Sequence, residues 1–129
     1  MSRGPSTNNF YMSFKKLKWH KVADQITDIP LTAGDIGEIT VGDKKLCIGR
    51  FQEGWYGFAH ICPHAGAPMA DGYVDGACHV VCPVHNLKFH LSNGRDTNGE
   101  GYKLKTYPVE VRPDGLFIGV EEGGLLKWF

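Results

Sequence analysis

The chain has 129 residues, enough for one domain with a core of its own. Its 14 Lys and Arg against 14 Asp and Glu leave no net charge, which argues against a nucleic-acid protein, whose footprint is a basic excess. Apolar residues at 42% and charged residues at 22% exclude a disordered chain, and no run approaches the ~18 apolar residues of a membrane-spanning helix.

Gly and Pro are plentiful, at 17 and 7 residues, which predicts many turns and short strands. Residues 1–9 are polar, and 1–13 reads as a flexible tail without the apolar core of a secretory leader. Phe14–Val22 alternates apolar with basic residues and predicts a first strand. Its Lys15, Lys16, Lys18 and Lys21 suit a solvated strand face, the sharper alternative being a surface for an acidic partner. Glu38–Val41 and Lys45–Phe51 flank Gly42-Asp43, a hairpin signal. Trp55–Ala59 follows the Glu53-Gly54 turn, and Gly72–Val81 folds back at Asp75-Gly76. Lys88–Leu91, Lys105–Val111 and Leu116–Val120 complete the strands, with turn signals at Asn93-Gly94 and Asp114-Gly115. No segment keeps a 3.6-residue apolar period over about ten residues. The expectation is all-β, a sandwich or small barrel.

Two segments carry chemistry. Cys62-Pro63-His64 is followed by Ala65-Gly66-Ala67-Pro68, and Cys82-Pro83-Val84-His85 follows after the 17 residues Ala65 to Val81. Each segment supplies one Cys and one His, and the hairpin between them lets two loops meet at one end of a sheet. Two thiolates and two imidazoles suit a tetrahedral zinc ion. They equally suit a [2Fe–2S] cluster with two Cys on one iron and two His on the other, each loop giving one ligand to each iron. Cys47, in an alternating strand, reads as a buried small hydrophobe, and Cys78 as structural in the strand feeding the second loop. His60, His79 and His90 read as packing or surface residues near the site, and Trp55, Tyr56 and Phe58 as core. Pro68 and Met69 are the better candidates for apolar contact around a metal group.

On these motifs the sequence resembles the Rieske proteins. The resemblance rests on both ligand spacings, on Pro63 and Pro83 after each cysteine, and on Gly66 and Pro68, and it runs from about Trp19 to Val120. It implies one [2Fe–2S] cluster per chain, with Cys62 and Cys82 on one iron and His64 and His85 on the other. Neutral imidazoles leave the centre less negative than four thiolates would, so an electron is easier to add. Rieske proteins of respiratory complexes carry an additional disulfide; Ala67 and Val84 stand at those positions here. Leu87 and Phe89 replace hydroxyl-bearing residues near the cluster, which implies a potential in the lower part of the Rieske range.

The resemblance therefore implies a Rieske-like β-sandwich or barrel base over residues 14–120, a small cluster-binding subdomain at about 59–91, and a C-terminal tail at 121–129. It implies a soluble, cytoplasmic ferredoxin that is an electron carrier and not itself an enzyme. Its partners would be an electron-donating reductase and an electron-accepting oxygenase or reductase, with no nucleic acid and no membrane. The alternatives are the small subunit of an NADH-dependent nitrite reductase and, from another class, a non-redox zinc-binding or interaction module.

Overall fold

Side chains alternate between the two faces of a strand, so a strand apolar at every position must be covered on both sides. The central residues Leu46-Cys47-Ile48-Gly49 are such a run, and all four are buried. The computed structural model describes residues 16–121. The expected tail at 1–13 lies outside the described residues, as does 122–129, and Glu121 is the last residue of a strand.

In chain order the strands are β1 (Leu17–Ala23), β2 (Ile36–Val41), β3 (Lys44–Phe51), β4 (Gly54–Ala59), β5 (Tyr73–Val74), β6 (His79–Val81), β7 (Lys88–His90), β8 (Thr106–Tyr107), β9 (Val109–Arg112) and β10 (Gly115–Glu121). Single 3₁₀ turns at Ile26–Asp28 and Met69–Asp71 are the helical elements of the described residues. The strands form three antiparallel sheets, ordered β1-β10-β9, β2-β3-β4-β8 and β5-β6-β7. The molecule is all-β, and among the described residues no helix is long and apolar enough to cross a membrane.

The four-stranded sheet is the middle layer. From β3, Leu46 and Ile48 pack with Leu116 and Ile118 of β10, while Cys47 points the other way. On β4, Trp55 joins the first face and Phe58 the second. Cys47 and Phe58 meet Val80 of β6, Phe89 of β7 and Met69, so the small β5-β6-β7 sheet is fixed to the base by a fully buried core. Phe58 and Phe89 are wholly buried, and truncating either to Ala should cost about 3–5 kcal/mol.

The hairpins at Gly42-Asp43 and Asp75-Gly76 form as expected. Three expectations are corrected. The first strand runs over Leu17–Ala23 and not Phe14–Val22, with residues 14 and 15 outside the described region. The single strand expected over Lys105–Val111 is two: β8 pairs with β4 and β9 with β10. Pro108 lies between them, with no N–H to continue a ladder, so the chain changes sheets there. Cys78 is not in a strand; it lies in the turn before β6, with φ +66°.

Candidate metal centre

Two loops rise from this core. The first, residues 60–68, leaves β4 and is closed at its base by a bridge between Ile61 and Pro68 and by the Met69 N–H on the His60 carbonyl at 2.7 Å. Within it the Cys62 N–H donates to the Ala67 carbonyl and the Gly66 N–H to the Cys62 carbonyl, both at 2.9 Å. The loop thus turns tightly around Cys62, and Gly66 takes φ +73°, a left-handed value that suits glycine. The second loop, residues 82–87, joins β6 to β7. The Cys82 N–H reaches the Leu87 carbonyl at 2.9 Å, and the reversal is made by His85 and Asn86 at φ +64° and +56°.

These turns set two pairs of donors, Cys62 with Cys82 and His64 with His85. Cys62 and Cys82 are buried, at 1% and 0% exposure, as free thiols close enough for Cys62 to raise the Cys82 pKa. His64 and His85 are exposed above them, with ring centroids 5.8 Å apart and planes 67° apart. Each sulfur also receives a backbone donor: the Ala65 N–H lies 3.4 Å from Cys62 Sγ, and the Val84 N–H points at Cys82 Sγ. Burial pushes the Cys82 thiol up, the Val84 N–H opposes this, and the neighbouring Cys62 thiol raises it further. Among the described residues no group of three or more His, Cys, Asp and Glu side chains is close enough to hold a metal ion.

The donor set fits a two-iron cluster. Two buried sulfurs side by side would hold one iron, and two imidazoles at the rim the other, with N–H groups already turned toward the sulfurs. Met69 is wholly buried in the same apolar cluster as both cysteines, whereas Pro68 is exposed.

The remaining candidates fall outside the four-donor group. Cys47 is fully buried, 4.0 Å from His60 Nδ1, and burial with the nearby Glu38 pushes its thiol up to about 12. His60 Nδ1 is also 3.6 Å from Glu38 Oε2. His79 and His90 pair across β6 and β7, their rings 4.7 Å apart edge to face. Cys78 lies near the Tyr56 hydroxyl and, with burial, raises its pKa. In the lysine stripe, Lys16 and Lys18 are exposed and Lys21 pairs with Asp24 at 2.7 Å.

Sequence reasoning missed Tyr102 and Asp96. The Tyr102 ring stands 4.7 Å from the His64 ring at 79°. Asp96, 8% exposed, accepts N–H groups of Gly99, Glu100 and Tyr102 at 2.9–3.2 Å and so fixes the loop that carries the tyrosine. An Asp followed by Asn98-Gly99 is a turn signal, and it could have located that loop though not its target.

The chain is similar to known proteins. Residues 18–108 match the family model of the Rieske [2Fe–2S] domain. The ferredoxin component of a naphthalene 1,2-dioxygenase system from Pseudomonas putida is 31% identical over 96 residues, covering 74% of this chain and 88% of that protein. A nitrite reductase [NAD(P)H] from Emericella nidulans is 33% identical over 112 residues, 79% of this chain but 10% of that protein. The ferredoxin of carbazole 1,9a-dioxygenase from Nocardioides aromaticivorans has a similar fold, with a TM-score of 0.66 at 20% identity over 78% of this chain and 96% of that one. With the family model covering most of the chain, the protein belongs to the Rieske [2Fe–2S] family.

Proposed function

We propose that this chain is a Rieske-type ferredoxin, holding one [2Fe–2S] cluster through Cys62, Cys82, His64 and His85 and carrying single electrons from a reductase to an oxygenase. The observation that carries the reading is the division of the site into a buried thiol pair and an exposed imidazole pair. The bound cluster supplies a centre that accepts and releases one electron. The protein's part is asymmetric. The buried cysteines keep water from the sulfur side, and the Ala65 and Val84 N–H groups would stabilise negative charge on the sulfurs. The exposed rims of His64 and His85 give a partner its nearest approach. Residues 59–91, which hold both loops, form the cluster-binding subdomain of this reading. Free Cys47 and Cys78 suit a reducing cytoplasm.

The oxygenase context is supported by the relatives named as ferredoxin components, which the chain matches along nearly their whole length. The second reading, a nitrite reductase small subunit, is supported by the match to the Emericella nidulans protein, of which this chain spans a small part. Purified protein tests the shared claim. A red-brown solution with about two irons and two acid-labile sulfides per chain is expected. A colourless protein holding zinc would contradict it. The two contexts separate by assay: reduced protein should support turnover of an added ring-hydroxylating oxygenase, and failure there with turnover by a nitrite reductase large subunit would favour the second.

A further inference from the structure

Beside the ligand loops, the segment from Arg95 to Lys103 encloses a cavity of about 400 Å³ lined by Arg95, Asp96, Gly99, Gly101, Tyr102 and Lys103. Arg95 and Lys103 are paired across an isolated β-bridge, so two like charges face each other. Such a pair is destabilising in a ladder. Neither has an acidic partner among the described residues, although the chain carries as many acids as bases. The one carboxylate in the lining, Asp96, is occupied by the N–H groups of its own loop. The loop is stiffly built: the Leu104 N–H reaches the Gly94 carbonyl at 2.7 Å, the His90 N–H the Arg95 carbonyl at 2.9 Å, and the Thr97 N–H the Lys88 carbonyl at 3.0 Å. Two exposed cations held at opposed positions on a hydrogen-bonded loop offer an external anion both charges at once.

The cavity is also joined to the electron exit. Tyr102 lines it and stands against the His64 ring. Three loops at this end each expose one large apolar side chain, Ile61, Val84 and Tyr102, at 46%, 37% and 36%. An apolar ring with an adjoining cationic notch has the composition of a protein interface, where aromatic and Arg side chains anchor and charges steer.

We propose that the Arg95–Lys103 cavity receives carboxylate side chains of an acidic redox partner and so seats that partner against His64. This rests on the electron-carrier reading above and adds the chemistry of the partner. The acidic partner is thereby assigned to this end of the molecule and not to the lysine stripe of β1.

The test uses the holo-protein, reduced with dithionite, and two small oxidants as charge probes. The cobalt(III)–EDTA anion and the tris(phenanthroline)cobalt(III) cation each take one electron and end as cobalt(II). Three variants are compared: R95E/K103E, R95Q/K103Q, and K21E/R112E as an equal charge reversal at the opposite end of the β1–β10 ladder from Lys105. At low salt, R95E/K103E should slow oxidation by the anion about tenfold and speed oxidation by the cation, with the Gln variant between. K21E/R112E should change either rate less than about threefold, and all differences should collapse near 1 M salt, where charges are screened within about 3 Å. If the two charge reversals act equally, or neither acts, in proteins with an unchanged visible spectrum, the docking proposal is overturned while the carrier reading stands. A wild-type protein with no reducible centre overturns both.

Discussion

The Tyr102 ring stands edge-on to the His64 imidazole, with centroids 4.7 Å apart and planes at 79°. Tyr102 comes from the loop tied together by Asp96, and His64 from the first ligand loop, so this contact joins two segments distant in sequence. An aromatic pair of this geometry contributes about 0.5–1.5 kcal/mol beyond its buried area. Tyr102→Ala should lower the urea-unfolding free energy by about 1 kcal/mol, whereas Tyr102→Phe, which keeps the ring, should stay within about 0.5 kcal/mol of wild type. Equal losses in both variants would mean that the hydroxyl and not the ring contact matters.

Asp75 holds the turn between β5 and β6. It accepts the Ala77 N–H at 2.9 Å and the His79 N–H at 3.0 Å, and it faces His79 Nδ1 at 3.0 Å. Desolvation pushes its carboxyl up, but these donors together outweigh it and bring the pKa from 3.8 to about 2. A folded value below the unfolded one gives stability that is present above about pH 4 and lost as pH falls toward 2. With the side chain 16% exposed, that contribution is about 1–2 kcal/mol. Asp75→Asn should therefore unfold more easily in urea by this amount at pH 7. The gap should narrow by roughly half at pH 3. A gap independent of pH would show that the carboxylate's charge is not its source.

Gly66 lies in the first loop and Gly72 just past it, and the two should respond differently to alanine. A Cβ on Gly66 would meet nothing within 4 Å, so Gly66→Ala carries only the strain of φ +73°, about 1–2 kcal/mol. A Cβ on Gly72 would run into the backbone carbonyl of Val81, the residue before Cys82. Gly72→Ala should cost about 3 kcal/mol and reduce iron per chain, while Gly66→Ala keeps its iron. Iron analysis of the two purified variants checks this, and full iron retention in Gly72→Ala would contradict it.

Cys47 should be chemically silent. Its thiol is fully buried and pushed up to about 12, so almost no thiolate forms near neutral pH. Native protein treated with iodoacetamide at pH 8 should leave Cys47 unmodified by peptide mass spectrometry, and urea should expose it. Labelling of Cys47 in the native state would place it nearer the surface than the fold does.

Much of this fold was legible because its signals are local. Gly42-Asp43 and Asp75-Gly76 mark hairpins by turn chemistry, and the apolar residues around Cys47 mark a strand, though not its cover on both faces. The two Cys–His segments were legible for the same reason, since each loop closes on itself around its cysteine. What could not be read depends on distant contacts. Nothing near Tyr102 in sequence announces His64, and nothing near Pro108 says that the strand before it pairs with β4 and the one after it with β10. Cys78 looked like a strand residue because its φ of +66° is a conformation that sequence associates with Gly or Asn. Leu87 and Phe89 bring no side-chain hydroxyl to the site, which favours a lower potential. The Ala65 and Val84 N–H groups at the sulfurs act in the opposite sense and belong to the backbone, where side-chain identity gives no sign of them.

The central claim is that His64 and His85 ligate one and the same reducible centre. Pulsed EPR on reduced protein labelled with ¹⁵N-histidine tests it most directly. Two histidine nitrogens strongly coupled to the unpaired electron are predicted, with the signal of the intact centre lost in both His64→Ala and His85→Ala. Coupling to no histidine nitrogen, or a signal unchanged by either substitution, would contradict the account.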